Sequence, residues 1–429
     1  MGDKTWQNKY YEGSGSCLNL LFNFMKLTSD NLFKTLSLNS PEIPFEVEFW
    51  DGTKEQYGSG IKKFKLVLKN KEVIKRILGA GSIGFGEEFM KGNVLIKGDI
   101  QEFLKMANSK IVALLKISLK TKLKIFLNYI FSLGYLSQSK KNISYHYDLS
   151  NDFYSLWLDD TLTYSCAYFR KEDDSLNQAQ LQKYDYICKK LQLKKGENLI
   201  DVGCGWGGMM FYALQNYGVR CEGYTLSKKQ YDYVDNNIKK RNLSHLLKVY
   251  LKDYREIHGK FDKFVSIGMF EHIGKKFYPI FFDIVKKSLK PKGIGLIQTI
   301  GSSKDKPTDP WITKYIFPGG LIPALQVVIK IMNQKNLVFF DIEDLRMHYA
   351  KTLDKWIENL EGNIDKIKSV MIKSLNSVEK TEQFIRMWQL YLNGSSVSFK
   401  NGNNRLYQIT FSNGLKNQLP LTRNYIYGV

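Results

Sequence analysis

Between Lys194 and Gly301 the chain alternates short apolar runs with amphipathic ones, and this alternation restricts the fold more than any other feature. ENLIDVG, VRCEGYTL, LLKVYLKDY, FDKFVSIGMFEHI and GIGLIQTIG read as strands, whereas GGMMFYALQNYG, SKKQYDYVDNNIKKRN and FYPIFFDIVKKSL carry helical spacing. Strands and helices taking turns, joined by short glycine-containing connections, specify an α/β fold with a doubly wound, Rossmann-like parallel sheet. Beyond Gly301, ALQVVIKIMNQKN, IEDLRMHYAKTLDKWIENL and a helix through Phe384 to Leu392 add helical cover, and RLYQITFSNG reads as a final strand.

Upstream, PFEVEFWDGTKEQYGSGIKKFKLVL alternates apolar and polar residues around an Asp51-Gly52 turn, the pattern of hairpin strands. KNKEVIKRIL and DIQEFLKMANS have helical spacing, and FGEEFMKGNVLIKGD between them reads as a glycine-bounded short strand. A small α+β module is therefore expected at the N-terminus. From Ile111 to Tyr135, apolar residues alternate in helical register with Lys116, Lys120, Lys122 and Lys124. Such a stretch suits either an anionic bilayer surface or a linker helix packed between domains, with packing the slightly favoured choice. The expected division is residues 1–135 for the module with its basic linker and 136–429 for the larger domain.

Lys and Arg number 63 against 42 Asp and Glu, a formal charge of +21 that attracts polyanions. No helix-turn-helix, finger, RRM or KH signature accompanies it, and the lysines are interleaved with apolar residues, which suits a lipid surface better than nucleic acid. A lysine-rich source proteome explains the charge equally well. The five cysteines, Cys17, Cys166, Cys188, Cys204 and Cys221, form no CxxC pair and no disulfide framework, pointing to a reducing, cytoplasmic setting without a metal site. The start, MGDKTWQNKYYEGSGS, has no apolar signal run, and the greasiest stretch, Ile125 to Leu136, is too short for the ~20 residues of a bilayer span. Membrane contact is expected to be peripheral, at the inner face.

In LIDVGCGWGGMM an apolar strand leads into Asp201, Gly203 and Gly205, then into a helix. Glycines there allow a tight turn and close approach of a ligand, and the helix start offers unpaired N–H groups. The following strand ends at Thr225, where a dinucleotide site wants a ribose-binding acid, so the NAD reading is weak. S-adenosylmethionine carries no pyrophosphate and needs only glycines for approach plus polar groups for its amino-acid end and ribose; the loop meets that need.

YHYDLSNDFYSLWLDDTLTYSCAYF, LIDVGCGWGG, YTLSKKQ, VSIGMFEHIG, TIG at 299–301, DPWITKYIFPGG and HYAKTLDKW occur in this order. Together they resemble the cyclopropane-fatty-acyl-phospholipid synthases and mycolic acid cyclopropane synthases, over most of residues 145–429. FGEEFMKGNVLIKGD is similar to the N-terminal module of longer members. The resemblance implies a class I methyltransferase domain with a helical lipid-pocket cover, acting on unsaturated phospholipids at an anionic membrane surface, and a homodimer.

Position by position, the resemblance implies that Gly203 and Gly205 line the cofactor, with Asp201 at the end of the preceding strand. Tyr164 and Ser165 would close over its amino-acid end, Thr225, Leu226 and Gln230 would lie near the ribose, and Tyr254, after Asp253, near the adenine. It also implies a bicarbonate ion beside the reacting carbons, held by Cys166, Glu271, Gln298, the Ile300 backbone and Tyr349. Gln298 departs from the pattern, which carries a histidine there; glutamine can donate a hydrogen bond but neither holds charge nor relays a proton.

An alkene is a poor nucleophile, so methyl transfer to it depends on in-line positioning in a shaped apolar pocket. The resulting carbocation must be kept from water, which aromatic faces do while stabilising charge. Ring closure then loses one proton from the delivered methyl, for which a weak base suffices. Two enzymatic alternatives stay open: a double-bond methyltransferase giving a methyl or methylene branch, and a small-molecule N-methyltransferase of the coclaurine type. A non-catalytic lipid-binding protein is the third.

Overall fold

The computed structural model describes residues 30–107, 151–305 and 307–427. The chain divides into two compact units at Leu123 and Lys124. The boundary expected at 135, the basic stretch from Ile111 to Tyr135 and Cys17 lie outside the described residues.

In the first unit, β1 (Phe45–Glu48) and β2 (Lys54–Tyr57) form the expected antiparallel hairpin, turning at Gly52 with φ 82°. β3 (Phe64–Leu68) runs parallel to β1, and β4 (Val94–Gly98) antiparallel to β3, giving the order β2-β1-β3-β4. Phe45, Val47, Phe64, Leu66 and Leu68 are buried at alternate positions, the signature of a half-buried sheet. Helix α1 (Glu72–Met90) extends further than its spacing suggested, interrupted at Gly81, so FGEEFM is helical and only Val94–Gly98 is strand. The cause is tertiary: buried Glu88 accepts from Arg76 at 2.7 Å and Asn93 at 2.8 Å, tying the second half of the helix to the turn before β4. Helix α2 (Ile100–Ala107) starts on Asp99, whose carboxylate accepts from the Gln101 and Glu102 amides.

Among the described residues, the second unit begins with α3 (Asn151–Ser155) and α4 (Leu176–Lys190), the latter capped by Ser175. A seven-stranded sheet follows, built from β5 (Asn198–Val202), β6 (Arg220–Thr225), β7 (Leu247–Leu251), β8 (Phe261–Ile267), β9 (Leu289–Gly301), β10 (Leu337–Asp344) and β11 (Arg405–Asn413). Its order is β10-β11-β9-β8-β5-β6-β7, with β5 to β9 parallel and β11 antiparallel to both its neighbours. Helices α5 (Gly208–Tyr217), α6 (Lys228–Lys240) and α7 (Tyr278–Ser288) are the crossovers. Adjacent residues of one strand feed opposite cores: Leu199 packs with Ile187, Met210 and Leu296, whereas Ile200 packs with Phe264, Phe281 and Phe411. This is the doubly wound α/β fold expected, with an antiparallel edge.

After β9 come α8 (Pro310–Tyr315), α9 (Leu325–Gln334), α10 (Arg346–Gly362), α11 (Ile364–Leu375) and α12 (Val378–Lys400), then β11 and a short α13 (Asn424–Tyr427). The IED run, expected to open a helix, instead ends β10, and α10 starts at Arg346. Sheet pairing with β11 and the buried Lys190 ammonium, 2.5 Å from Glu343 and 3.4 Å from Asp341, hold those acids in extended backbone. Strand order reverses at β5, which lies between β6 and β8. In open α/β sheets a ligand binds beyond the carboxyl ends of the strands at such a switch point.

Candidate active site

At that switch point the chain leaves β5 through Gly203, whose φ is 84° and whose N–H donates to the Tyr224 carbonyl at 2.9 Å. A Cβ on Gly203 would sit 2.6 Å from the Met269 Cβ, whereas one on Gly205 would meet no atom within 4 Å. The first glycine thus lets two loops touch, and the second leaves space free. That space belongs to a cavity of about 200 Å³ at the carboxyl ends of β5, β6, β7 and β8. All ten residues expected to hold the cofactor line it: Tyr164, Ser165, Asp201, Gly203, Gly205, Thr225, Leu226, Gln230, Asp253 and Tyr254.

On the β6 side, the Thr225 hydroxyl donates to Gln230 Oε1 at 2.8 Å and accepts from the Ser227 amide at 3.2 Å, and Ser227 caps α6 through the Gln230 amide. On the β7 side, Asp253 caps a single turn, and Arg255 holds both its carboxylate oxygens, at 2.7 and 2.9 Å. The neighbouring Tyr254 ring packs edge-on against Phe281, and burial pushes its hydroxyl up to about 12.

The strip 161–165 forms the opposite wall, and α4 holds it. Gln180 Nε2 donates to the Ser165 carbonyl at 2.9 Å, Lys183 Nζ donates to Ser165 Oγ at 3.2 Å, and the Tyr184 hydroxyl hydrogen-bonds the Thr163 hydroxyl. Asp159 accepts from the Thr161 and Thr163 amides below. Thr161, Thr163, Lys183 and Tyr184 line the cavity yet were not singled out from sequence. The available signal was the polar triplet Gln180, Lys183 and Tyr184 at i, i+3 and i+4, which share one helical face.

Of the residues expected around the ion, none lines this cavity. They lie on elements that adjoin one another. Glu271 occupies a single 3-10 turn after β8, Phe270–His272, and its Oε1 accepts from the Ile300 amide at 2.5 Å. The Ile300 N–H is thus engaged by Glu271. Glu271 Oε2 is buried with no hydrogen-bond partner among the described residues. Burial pushes this carboxyl up to about 7, against the pull of the Ile300 amide. Two positions before Ile300, Gln298 Oε1 accepts from Gln408 Nε2 at 2.9 Å, which leaves the Gln298 amide hydrogens as its remaining donors.

Ile300 pairs with Leu406, whose carbonyl accepts from the Leu345 amide at 2.7 Å, and one turn further along α10 stands Tyr349. Its ring packs on Phe399 at 4.6 Å and edge-on to Trp356 at 6.0 Å. Cys166 reaches the same helix: the next residue's amide donates to Thr352 Oγ1 at 3.0 Å, and burial pushes the thiol well above its usual range. Cys166, Cys188, Cys204 and Cys221 are all buried free thiols. The Cys166 thiol donates to the Ala167 carbonyl at 3.1 Å, and Glu271 Oε2 stays buried without a hydrogen-bond partner among the described residues.

One residue joins the two groups. Tyr164 lines the cavity, and its hydroxyl donates to the Tyr391 hydroxyl at 2.9 Å; its ring touches Trp157 edge-on at 5.5 Å and Trp356 at 5.2 Å. Trp388, Tyr154 and Phe153 complete this aromatic cluster. The Glu271 carboxylate in turn raises the Tyr391 hydroxyl, after burial and against the Tyr164 hydrogen bond. His272 lines the cavity and abuts Phe317, and burial lowers it to about 4, so it is neutral at pH 7.

Comparison with known proteins gives a consistent outcome. The family described as mycolic acid cyclopropane synthetase matches residues 135–409, and a domain of unknown function matches residues 32–117. The cyclopropane-fatty-acyl-phospholipid synthase of Escherichia coli is 37% identical over 361 residues, 83% of this chain and 90% of its own length. The tuberculostearic acid methyltransferase UfaA1 of Mycobacterium tuberculosis is 31% identical over 395 residues, 88% of this chain and 90% of its own. Among solved structures, the mycolic acid cyclopropane synthase CmaA1 complexed with SAH and CTAB superposes with a TM-score of 0.58 at 33% identity, covering 64% of this chain and 98% of that one.

Proposed function

Because the chain belongs to the mycolic acid cyclopropane synthetase family, we propose that it transfers the methyl carbon of S-adenosylmethionine to cis double bonds of unsaturated phospholipid acyl chains, forming cyclopropane rings. The observation that carries this reading is the double membership of Tyr164, which walls the glycine-loop cavity and belongs to the aromatic cluster beside it. Its ring would border the donor and the acyl chain at the edge where they meet, leaving the methyl carbon and the double bond in direct contact.

Bound in the cavity, the sulfonium donor supplies an electrophilic methyl carbon. The chain's own part is alignment and exclusion of water. The glycine loop and the strip held by α4 fix the cavity walls, so that the alkene electron pair can form a C–C bond as the C–S bond breaks and a neutral thioether leaves. The aromatic cluster around Tyr164 would shield positive charge left on the acyl chain from solvent. Electrons of one methyl C–H bond then close the ring, and the proton departs to a weak base. A bicarbonate ion held by Glu271, Gln298, Cys166, Tyr349 and the Ile300 backbone would supply that base. Glu271, with its carboxyl pushed up to about 7, can donate to such an ion from Oε2.

No helix among the described residues is long and apolar enough to cross a membrane. Docking on an anionic lipid surface, favoured by the +21 charge, brings the chain to its substrate. The test is release of S-adenosylhomocysteine on adding vesicles of cis-monounsaturated phosphatidylglycerol. Turnover is expected with these and not with saturated vesicles; equal release from both refutes the reading.

A second reading, methyl or methylene branching at the same double bond, is favoured by Gln298. Its amide oxygen is held by Gln408 and it cannot accept a proton in the way an imidazole does, so a cation less promptly deprotonated at the new methyl has time to shift.

A further inference from the structure

Lys183 and Lys190 lie two turns apart on α4 and are both buried, at 1% and 0% exposure. Their surroundings differ in one respect. Lys190 meets two carboxylates, Glu343 at 2.5 Å and Asp341 at 3.4 Å, as a buried ammonium must if it is to stay charged. Lys183 meets a hydroxyl, Ser165 Oγ at 3.2 Å, and lies 4.1 Å from the centre of the Tyr184 ring. Among the described residues it has no carboxylate within ion-pair distance, and Asp159 and Asp201 act on it only from farther away.

Lys183 lines the glycine-loop cavity, together with Asp201 and Ser165. An acid and a base thus face this space, Asp201 with its carboxyl pushed up to about 7 by burial, and a ligand carrying both an ammonium and a carboxylate would find a partner for each. Glu271 and the four other residues expected around the ion line no part of it, so the anion that Lys183 would meet there is one the ligand brings.

We propose that Lys183 binds the α-carboxylate of the amino-acid end of the sulfonium ligand, and so makes the cavity selective for ligands that retain that carboxylate. The proposal rests on the methyl-donor reading of the cavity. The ammonium has three N–H donors, of which Ser165 takes one, and a ligand carboxylate accepts from the others. Burial pushes the ammonium down to about 7, a cost that a ligand carboxylate would relieve. Gln180, one turn earlier on α4, holds the Ser165 carbonyl at 2.9 Å and so fixes the hydroxyl against which Lys183 is set.

The test is calorimetric titration of the full chain with S-adenosylhomocysteine and with its decarboxylated analogue, each with and without bicarbonate. Wild-type protein is expected to bind the intact ligand roughly 10- to 100-fold more tightly, the range of one charge-assisted pair. Lys183→Met, of similar length and without charge, is expected to bring the two ligands to within about threefold by weakening the intact one alone. A Lys183→Met protein that keeps the wild-type ratio overturns the proposal. So does a wild-type protein that binds both ligands equally, an arm that needs no variant to fold. A ratio that changes with bicarbonate rather than with the ligand's carboxylate also overturns it, since Lys183 would then pair with that ion. If wild-type protein binds neither ligand, the methyl-donor reading itself fails; intact binding without discrimination sinks only the role of Lys183.

Discussion

Glu271 accepts the Ile300 amide on Oε1 at 2.5 Å and keeps Oε2 buried without a hydrogen-bond partner among the described residues. One turn after β8 is thereby tied to the end of β9, and a carboxyl is kept where water does not solvate it.

Burial raises the folded-state pKa of Glu271 from 4.5 to about 7, so the folded chain favours the protonated form. Stability from this group is complete below about pH 4.5 and is lost as pH rises through about 7. Glu271→Gln, neutral at every pH, is expected to melt like wild type near pH 4.5 and to be more stable at pH 8 by roughly 2–3 kcal/mol. Turnover should fall about 100-fold or more. Thermal melts at the two pH values check the sign, and a variant less stable at pH 8 contradicts it.

Gly203 and Gly205 are both left-handed, yet only the first is crowded. Gly203→Ala drives a methyl into Met269 at a φ of 84°, and should cost about 1–3 kcal/mol along with at least tenfold of S-adenosylhomocysteine affinity. Gly205→Ala meets no atom and should cost only the left-handed penalty, about 1 kcal/mol. Denaturant melts of the pair decide; equal losses would mean that backbone conformation alone, and not loop contact, selects glycine at 203.

Gln298 and Gln408 face each other across β9 and β11 in register. Gln298→His is expected to keep or raise ring formation, since an imidazole can both donate and relay a proton where the amide only donates. Turnover measured against bicarbonate concentration reads this out. A collapse of activity would show that the Gln298–Gln408 amide pair is itself required.

What was legible in the sequence follows from which forces are local. The parallel sheet and its crossovers were readable because Leu199 and Ile200, or Val265 and Phe264, must be apolar on both faces of a covered strand, a pattern carried by a few consecutive residues. The cofactor loop was readable for the same reason: glycines at 203 and 205 answer to backbone geometry, and every residue expected at that site lines one cavity. Strand β10 was not readable, because Asp341 and Glu343 are extended through Lys190 and Arg423, which are distant in sequence. Lys183 escaped notice similarly. On a lysine-rich chain a lysine in a helix reads as solvated surface, and only the contact between α4 and the Ser165 strip turns it inward.

In the proposed reaction a carbon is added to an olefin, and one hydrogen of that delivered carbon is then lost as the ring closes. This is tested most directly with S-adenosylmethionine bearing a trideuterated methyl group and vesicles of cis-monounsaturated phospholipid. Mass and olefin content of the recovered acyl chains give the answer. Chains that retain two of the three deuteriums and have lost the double bond are expected. Chains that carry all three deuteriums, chains that keep an olefin, or chains left unaltered would contradict that reaction.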